Sequence, residues 1–119
     1  MNIDAPFHVQ VAPGVDDTRL ALSGRVDRDA EEGLLTAFTS VAEGATVAGI
    51  ERVVLDFHEA TYINSSGLAA IVALLADARG RGITVAARGL TDHYRHLFEI
   101  TRLSDLIEVE PATEPGGVA

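Results

Sequence analysis

Asn64-Ser65-Ser66-Gly67 is the stretch of this sequence best placed to do chemistry. It closes a turn, His58–Gly67, that follows the β-branched run Arg52–Phe57 (RVVLDF) and leads into a segment of helical period. In parallel α/β sheets the carboxyl ends of strands face helix N-termini, whose unpaired N–H groups collect anions and polar ligands. Three consecutive capping-type side chains stand there, although one is enough to cap a helix. Two readings stay open: a redundant N-cap, or a cap with a serine left free as a phosphoryl acceptor. A phosphate on such a serine carries roughly −1.5 to −2 charges and sits at the positive end of the helix dipole, so it perturbs the fold little. Against a partner surface the same charge, buried and uncompensated, costs about 3–5 kcal/mol, about a hundredfold or more in affinity.

Other reactive side chains fit fewer templates. His93 and His96 lie three apart with Glu99 beyond, the spacing of a metal-binding helix face. Yet Asp92, Arg95, Glu99 and Arg102 form an alternating charged stripe, the pattern of a solvated helix, with Leu90, Tyr94, Leu97, Phe98 and Thr101 as its buried side. No metal is expected there. Asp27 precedes the first helical segment and reads as a capping carboxylate. A nucleophile elbow needs glycine two residues before its serine, where Ser65 has Ile63 and Ser66 has Asn64. A GxxxxGK[ST] phosphate loop needs lysine, and all nine basic residues are arginine. Cysteine is absent, which removes disulfides, thiol catalysis and thiolate metal sites. No base and carboxylate can be placed around Ser65. The expectation is a binding module without a cofactor, not an enzyme.

The elements that must position the serine turn follow from the hydrophobic period. Phe7, Val9 and Val11 alternate with His8 and Gln10 as a half-buried strand. Pro13-Gly14 and Asp16-Asp17 supply turn chemistry, and Leu20 and Leu22 begin a second strand, completing a hairpin. Ala30, Leu34, Ala37, Phe38 and Val41 are at helical spacing, with acids near the start and Gly44 after the last turn. Arg52–Phe57 then reads as a central strand covered on both faces. A helix over 66–79, a strand over 83–87, a helix over 91–102 and a strand over 106–109 follow. In the second helix, Leu68, Ile71, Val72, Leu75 and Ala78 serve as the stripe against the sheet. Ala69, Ala70, Ala73, Leu74 and Ala76 are left on the other side, either as tolerated helix formers or as a flat docking face. The order β-β-α-β-α-β-α-β predicts an α/β domain over residues 1–110. Its sheet is mixed but mostly parallel, with an N-terminal antiparallel hairpin and helices against it. Residues 111–119, with two prolines and two glycines, read as a flexible tail.

Composition narrows the partners. A chain of 119 residues with 47% hydrophobic and 23% charged side chains is an ordinary single globular domain. Its net charge of −9 repels phosphate backbones and anionic headgroups, so direct nucleic-acid binding is not expected. The longest apolar or glycine run, 67–76, is about half the length of a bilayer-spanning helix, so neither is membrane insertion. Residues 1–11 carry an acid and no basic cluster, unlike a signal peptide, and the compartment expected is the cytoplasm.

Leu22-Ser23-Gly24-Arg25-Val26-Asp27, Val53–Phe57 (VVLDF) and Tyr62–Leu68 (YINSSGL) resemble the signature of the STAS domain and, within it, the bacterial anti-sigma factor antagonists. Gly82–Ala86, Leu97-Phe98, Leu103 and Leu106-Ile107 are similar to that family's last two strands and the helix between them, so the likeness covers roughly Phe7–Val109. The resemblance implies a partner-switching cycle. The antagonist captures an anti-sigma factor that is also a serine kinase and so frees a sigma factor. The kinase inactivates the antagonist by phosphorylating the first serine of the turn, Ser65 by position, and a phosphatase reverses this. Asp27 matches an acidic position that touches the partner, Asn64 and Ser66 belong to the same surface, and Gly67 lets the partner approach the helix start. A homodimer is compatible with the resemblance. The family commonly has aspartate before the acceptor serine; Asn64 keeps the capping oxygen but not the charge. The alternative it implies is a constitutive STAS scaffold, or an accessory of a signalling assembly or of a lipid or anion transporter.

Overall fold

The computed structural model describes residues 5–13, 17–49 and 51–111. The middle of the expected hairpin turn, 14–16, and residues 112–119 of the expected tail 111–119 lie outside the described residues. Five strands, β1 (His8–Pro13), β2 (Thr18–Val26), β3 (Arg52–Ile63), β4 (Thr84–Arg88) and β5 (Glu108–Val109), form one sheet in chain order. β1 and β2 run antiparallel and every later pair is parallel. Three helices, α1 (Glu31–Ala48), α2 (Ser65–Arg81) and α3 (Asp92–Ile100), join the parallel strands, with 3-10 turns at Arg28–Ala30 and Leu103–Asp105. The expected fold class and element order hold.

The core lies between the sheet and α1 and α2. β2 alternates, burying Thr18, Leu20, Leu22, Gly24 and Val26 and turning Arg19, Ala21, Ser23 and Arg25 to the opposite face. Leu34 and Phe38 of α1, Ile71 and Leu74 of α2, and Val53 and Leu55 of β3 are fully buried in one cluster. Phe98 of α3 meets Phe57 edge-on, with ring centroids 6.2 Å apart. Val54 is also fully buried but stands outside that cluster; its register neighbours are Arg19 and Ala86. β3 is therefore buried on both faces at its centre only, since Arg52 and Asp56 beside Val54 are half-buried charges.

Four elements depart from the sequence expectation, each for a physical reason. The shortest, β5, starts at Glu108 and not at 106 because the Leu106 and Ile107 amides donate back to the Leu103 carbonyl and belong to the 3-10 turn. α1 continues through Gly44, where a β-carbon would meet nothing within 4 Å, and the chain leaves the helix at Gly49 with φ 78°. β3 does not stop at Phe57 but runs on to Ile63, because Glu59, Ala60, Tyr62 and Ile63 keep pairing with Ser23–Val26. Two register shifts give β3 one extra residue each, the bulges by which the eleven residues Val53–Ile63 accompany the nine of β2. On the other helices, α2 buries Gly67, Ala70, Ile71, Leu74, Leu75 and Ala78, which moves Ala70 and Leu74 inward and leaves Val72 43% exposed.

Candidate functional site

The last residue of β3, Ile63, is the register partner of the last residue of β2, Val26. The residues that follow these two strand ends, Asp27 and Asn64, therefore leave the same end of the sheet. The Asn64 amide donates to the Val26 carbonyl at 3.2 Å, which ties the start of α2 to the end of β2. Asn64 is extended (φ −108°, ψ −176°) and its Oδ1 accepts the Gly67 amide at 2.9 Å, while its carbonyl accepts the Leu68 amide at 2.9 Å. That is a complete N-cap.

Because Asn64 does the capping, both serines are released from it. Ser65 is the first residue of α2 and Ser66 the second; both are exposed. Neither hydroxyl has a hydrogen-bond partner among the described residues. The first turn of α2 contains no acid, so no carboxylate already occupies its positive end. A hydroxyl at that position can be reached by an incoming phosphoryl group, and the product dianion would face free backbone amides.

Asp27 has structural work of its own. Its Oδ1 accepts the Asp29 amide at 3.0 Å, capping the 3-10 turn, and its Oδ2 lies 3.5 Å from Arg25 Nε. Its side chain is 16% exposed, so a partner could reach only its edge. Gly67 is buried, and a β-carbon there would overlap the Val26 carbonyl oxygen and lie 2.6 Å from the carbonyl carbon. Its missing side chain lets α2 approach β2 from inside, a reason the sequence reading did not supply.

The outward face of α2 next to the serines consists of Ala69, Val72, Ala73 and Ala76, at i, i+3, i+4 and i+7. This replaces the expected outer set: Ala70 and Leu74 belong to the core, and Val72 belongs outside. On α3, Thr91 caps the helix, accepting the Tyr94 amide at 3.3 Å, and Asp92 pairs with Arg95 at 2.8 Å. His93 and His96 are exposed; His93 packs edge-on against the Tyr94 ring and His96 Nδ1 is 3.8 Å from Glu99. Among the described residues there is no group of three metal-ligating side chains. Thr101 is exposed rather than buried, its hydroxyl donating back to the Leu97 carbonyl at 2.7 Å.

One residue of this region was missed as a site residue. Tyr94 Oη accepts the Ile63 amide at 3.1 Å, immediately before the cap. The signal was a tyrosine, not a phenylalanine, on the inner face of α3: a half-buried phenol needs a polar partner.

The fold and this strand–turn–helix end define an α/β domain of the STAS type, and comparison with known proteins agrees. The family model described as "Mlab, STAS domain" matches residues 9–108. The chain belongs to the STAS family. The anti-sigma-B factor antagonists of Listeria monocytogenes and Listeria innocua are each 39% identical to it over 56 residues, 47% of this chain and 49% of theirs. The match thus spans about half the length of these curated relatives. Among solved structures, an anti-sigma factor antagonist from Mycobacterium paratuberculosis superposes with a TM-score of 0.69 at 20% identity, covering 92% of this chain and 89% of that one. The unphosphorylated anti-sigma factor antagonist SpoIIAA gives 0.64 at 14% identity, covering 90% and 91%. The phosphorylated form of Bacillus SpoIIAA gives 0.63 at 14%, covering 87% and 92%. These structures share the fold. Among the described residues, no helix is long and apolar enough to cross a membrane.

Proposed function

We propose that this chain is an anti-sigma factor antagonist, a non-catalytic binding module of the cytoplasm controlled by phosphorylation of Ser65. Its unmodified form captures a kinase-type anti-sigma factor, which sets a sigma factor free; the kinase modifies Ser65 and a phosphatase restores it. The observation that carries this reading is the free, exposed Ser65 hydroxyl at the start of α2, beside a cap already completed by Asn64. Asp27, Asn64, Ser66 and the outward face of α2 form the partner surface around it, and Gly67 acts by holding α2 down on β2. Because the phosphate sits at the helix N-terminus, it leaves the domain folded and changes only what can dock there.

The test is phosphate mapping by mass spectrometry on the chain purified from the cells that make it, and on recombinant chain incubated with Mg-ATP and an extract of those cells. Phosphate on Ser65, lost in Ser65→Ala, supports the assignment. Modification elsewhere, or none, overturns it.

A second reading is favoured by Asn64, which places no negative charge before the serine: a constitutive STAS scaffold. It requires stable association with other chains that Ser65→Glu leaves unchanged.

A further inference from the structure

Along a strand in a parallel sheet, the amides of successive residues point to opposite flanks. At the end of β3 the Asn64 amide points to β2 and is satisfied by the Val26 carbonyl. The Ile63 amide points to the other flank. There β4 has already ended, its last residue, Arg88, being registered with Asp56, seven residues before Ile63. A buried donor at this place would have no strand to pair with, and Ile63 is only 5% exposed. The Tyr94 hydroxyl from α3 stands in for the absent strand, accepting this amide at 3.1 Å. Tyr94 is itself fixed at the helix start, its amide held by the Thr91 hydroxyl and its ring against His93. The chain from Thr91 through Tyr94 to Ile63 ends one residue before the cap and two before Ser65.

Resting on the functional reading above, we propose that the Tyr94 hydroxyl is a positioning group for Ser65. It clamps the open flank of β3, so the conformation in which Ser65 is offered depends on α3 as well as on β2. The start of α3 is thereby a second place from which partner switching can be controlled. Any contact that pulls Tyr94 away frees the Ile63 amide and loosens the cap without touching the serine.

The experiment uses the full chain, its Tyr94→Phe variant, and Val85→Ala, a core truncation in β4 registered with Val53, ten residues before Ile63, as a destabilised control. Amide exchange is followed by NMR, and initial rates of Ser65 phosphorylation are measured at varied substrate concentration with Mg-ATP and extract of the native cells. In Tyr94→Phe, exchange at Ile63 is expected to rise about tenfold relative to the control, as loss of one hydrogen bond implies. The kcat/KM for phosphorylation should fall about threefold or more below that of Val85→Ala, because the hydroxyl is less well held. Unchanged exchange over 63–67 overturns the proposal whatever the kinase does. Faster exchange with phosphorylation equal to the control overturns it too, leaving a merely structural bond. If Ser65 of the wild-type chain accepts no phosphate, the functional reading fails by itself, and exchange over Ile63–Gly67 alone decides whether Tyr94 fixes the turn.

Discussion

Gly67 lies against the Val26 carbonyl so closely that any β-carbon at residue 67 would overlap it. This contact sets the depth at which α2 rests on β2 and hence the height of Ser65 above the sheet. Helix propensity alone favours alanine over glycine by about 1 kcal/mol, so a surface-only argument gives Gly67→Ala as stabilising. Steric overlap with a backbone atom, which has no rotamer to yield, reverses the sign. Gly67→Ala is expected to lose about 1–3 kcal/mol. Thermal unfolding should read this as a fall of about 4 °C for each kcal/mol. A Tm equal to or above wild type would refute the packing argument.

The cap gives a prediction of its own. Asn64→Ala removes the acceptor for the Gly67 amide and should cost about 1 kcal/mol in urea unfolding. Asn64→Asp keeps that acceptor and adds a charge at the positive end of α2, which should match or exceed wild-type stability by about 0.3–1 kcal/mol. If Asn64→Asp behaves like Asn64→Ala, the side-chain oxygen is not the cap.

How much of this is legible in the sequence depends on what each residue type can report. The alternation of β2 and the capping run at 64–66 are local signals, and the strand and turn they imply are present. The inner face of α2 is not legible because its run from Gly67 to Ala76 is apolar throughout, and a period cannot be phased when every position is hydrophobic. The second half of β3 is hidden because His58–Ile63 mixes polar and aromatic residues, as a turn does. Only its pairing with Ser23–Val26 makes it strand. The bond from Ile63 to Tyr94 joins residues 31 apart and depends on where β4 stops, which no local pattern carries.

Glu110 ties the segment after β5 to the rest of the sheet. Arg88 donates two hydrogen bonds to it, at 2.9 and 3.3 Å, and Arg52, the first residue of β3, a third at 3.2 Å. The Arg88 hydrogen bond holds the Glu110 carboxyl below its ordinary 4.5; burial works the other way, and Arg52 adds to the lowering. A carboxylate with a depressed folded-state value stabilises the fold fully above its unfolded value and loses that contribution as pH falls through the folded one. At pH 7, Glu110→Gln should therefore be less stable than wild type by about 1 kcal/mol or less, since the group is partly exposed. The gap should hold on descending to the ordinary carboxylate value and close below it. Urea midpoints measured across that range check this, and a gap that widens in acid contradicts the assignment.

The outward face of α2 separates a docking surface from a merely tolerated one. Val72 is 43% exposed between Ala69, Ala73 and Ala76, so replacing it should move stability by no more than about 0.5 kcal/mol. If this face docks the anti-sigma factor, Val72→Glu places an unpaired charge in the buried interface and should weaken binding by about 3–5 kcal/mol, comparable to a phosphate on Ser65. Val72→Ala only shortens an apolar contact and should cost far less. Isothermal titration of each variant with the anti-sigma factor, alongside Ser65→Glu, gives the comparison. Equal affinity for wild type and Val72→Glu would remove this face from the partner surface while leaving Ser65 in place. Equal affinity for Ser65→Glu as well would favour the constitutive scaffold.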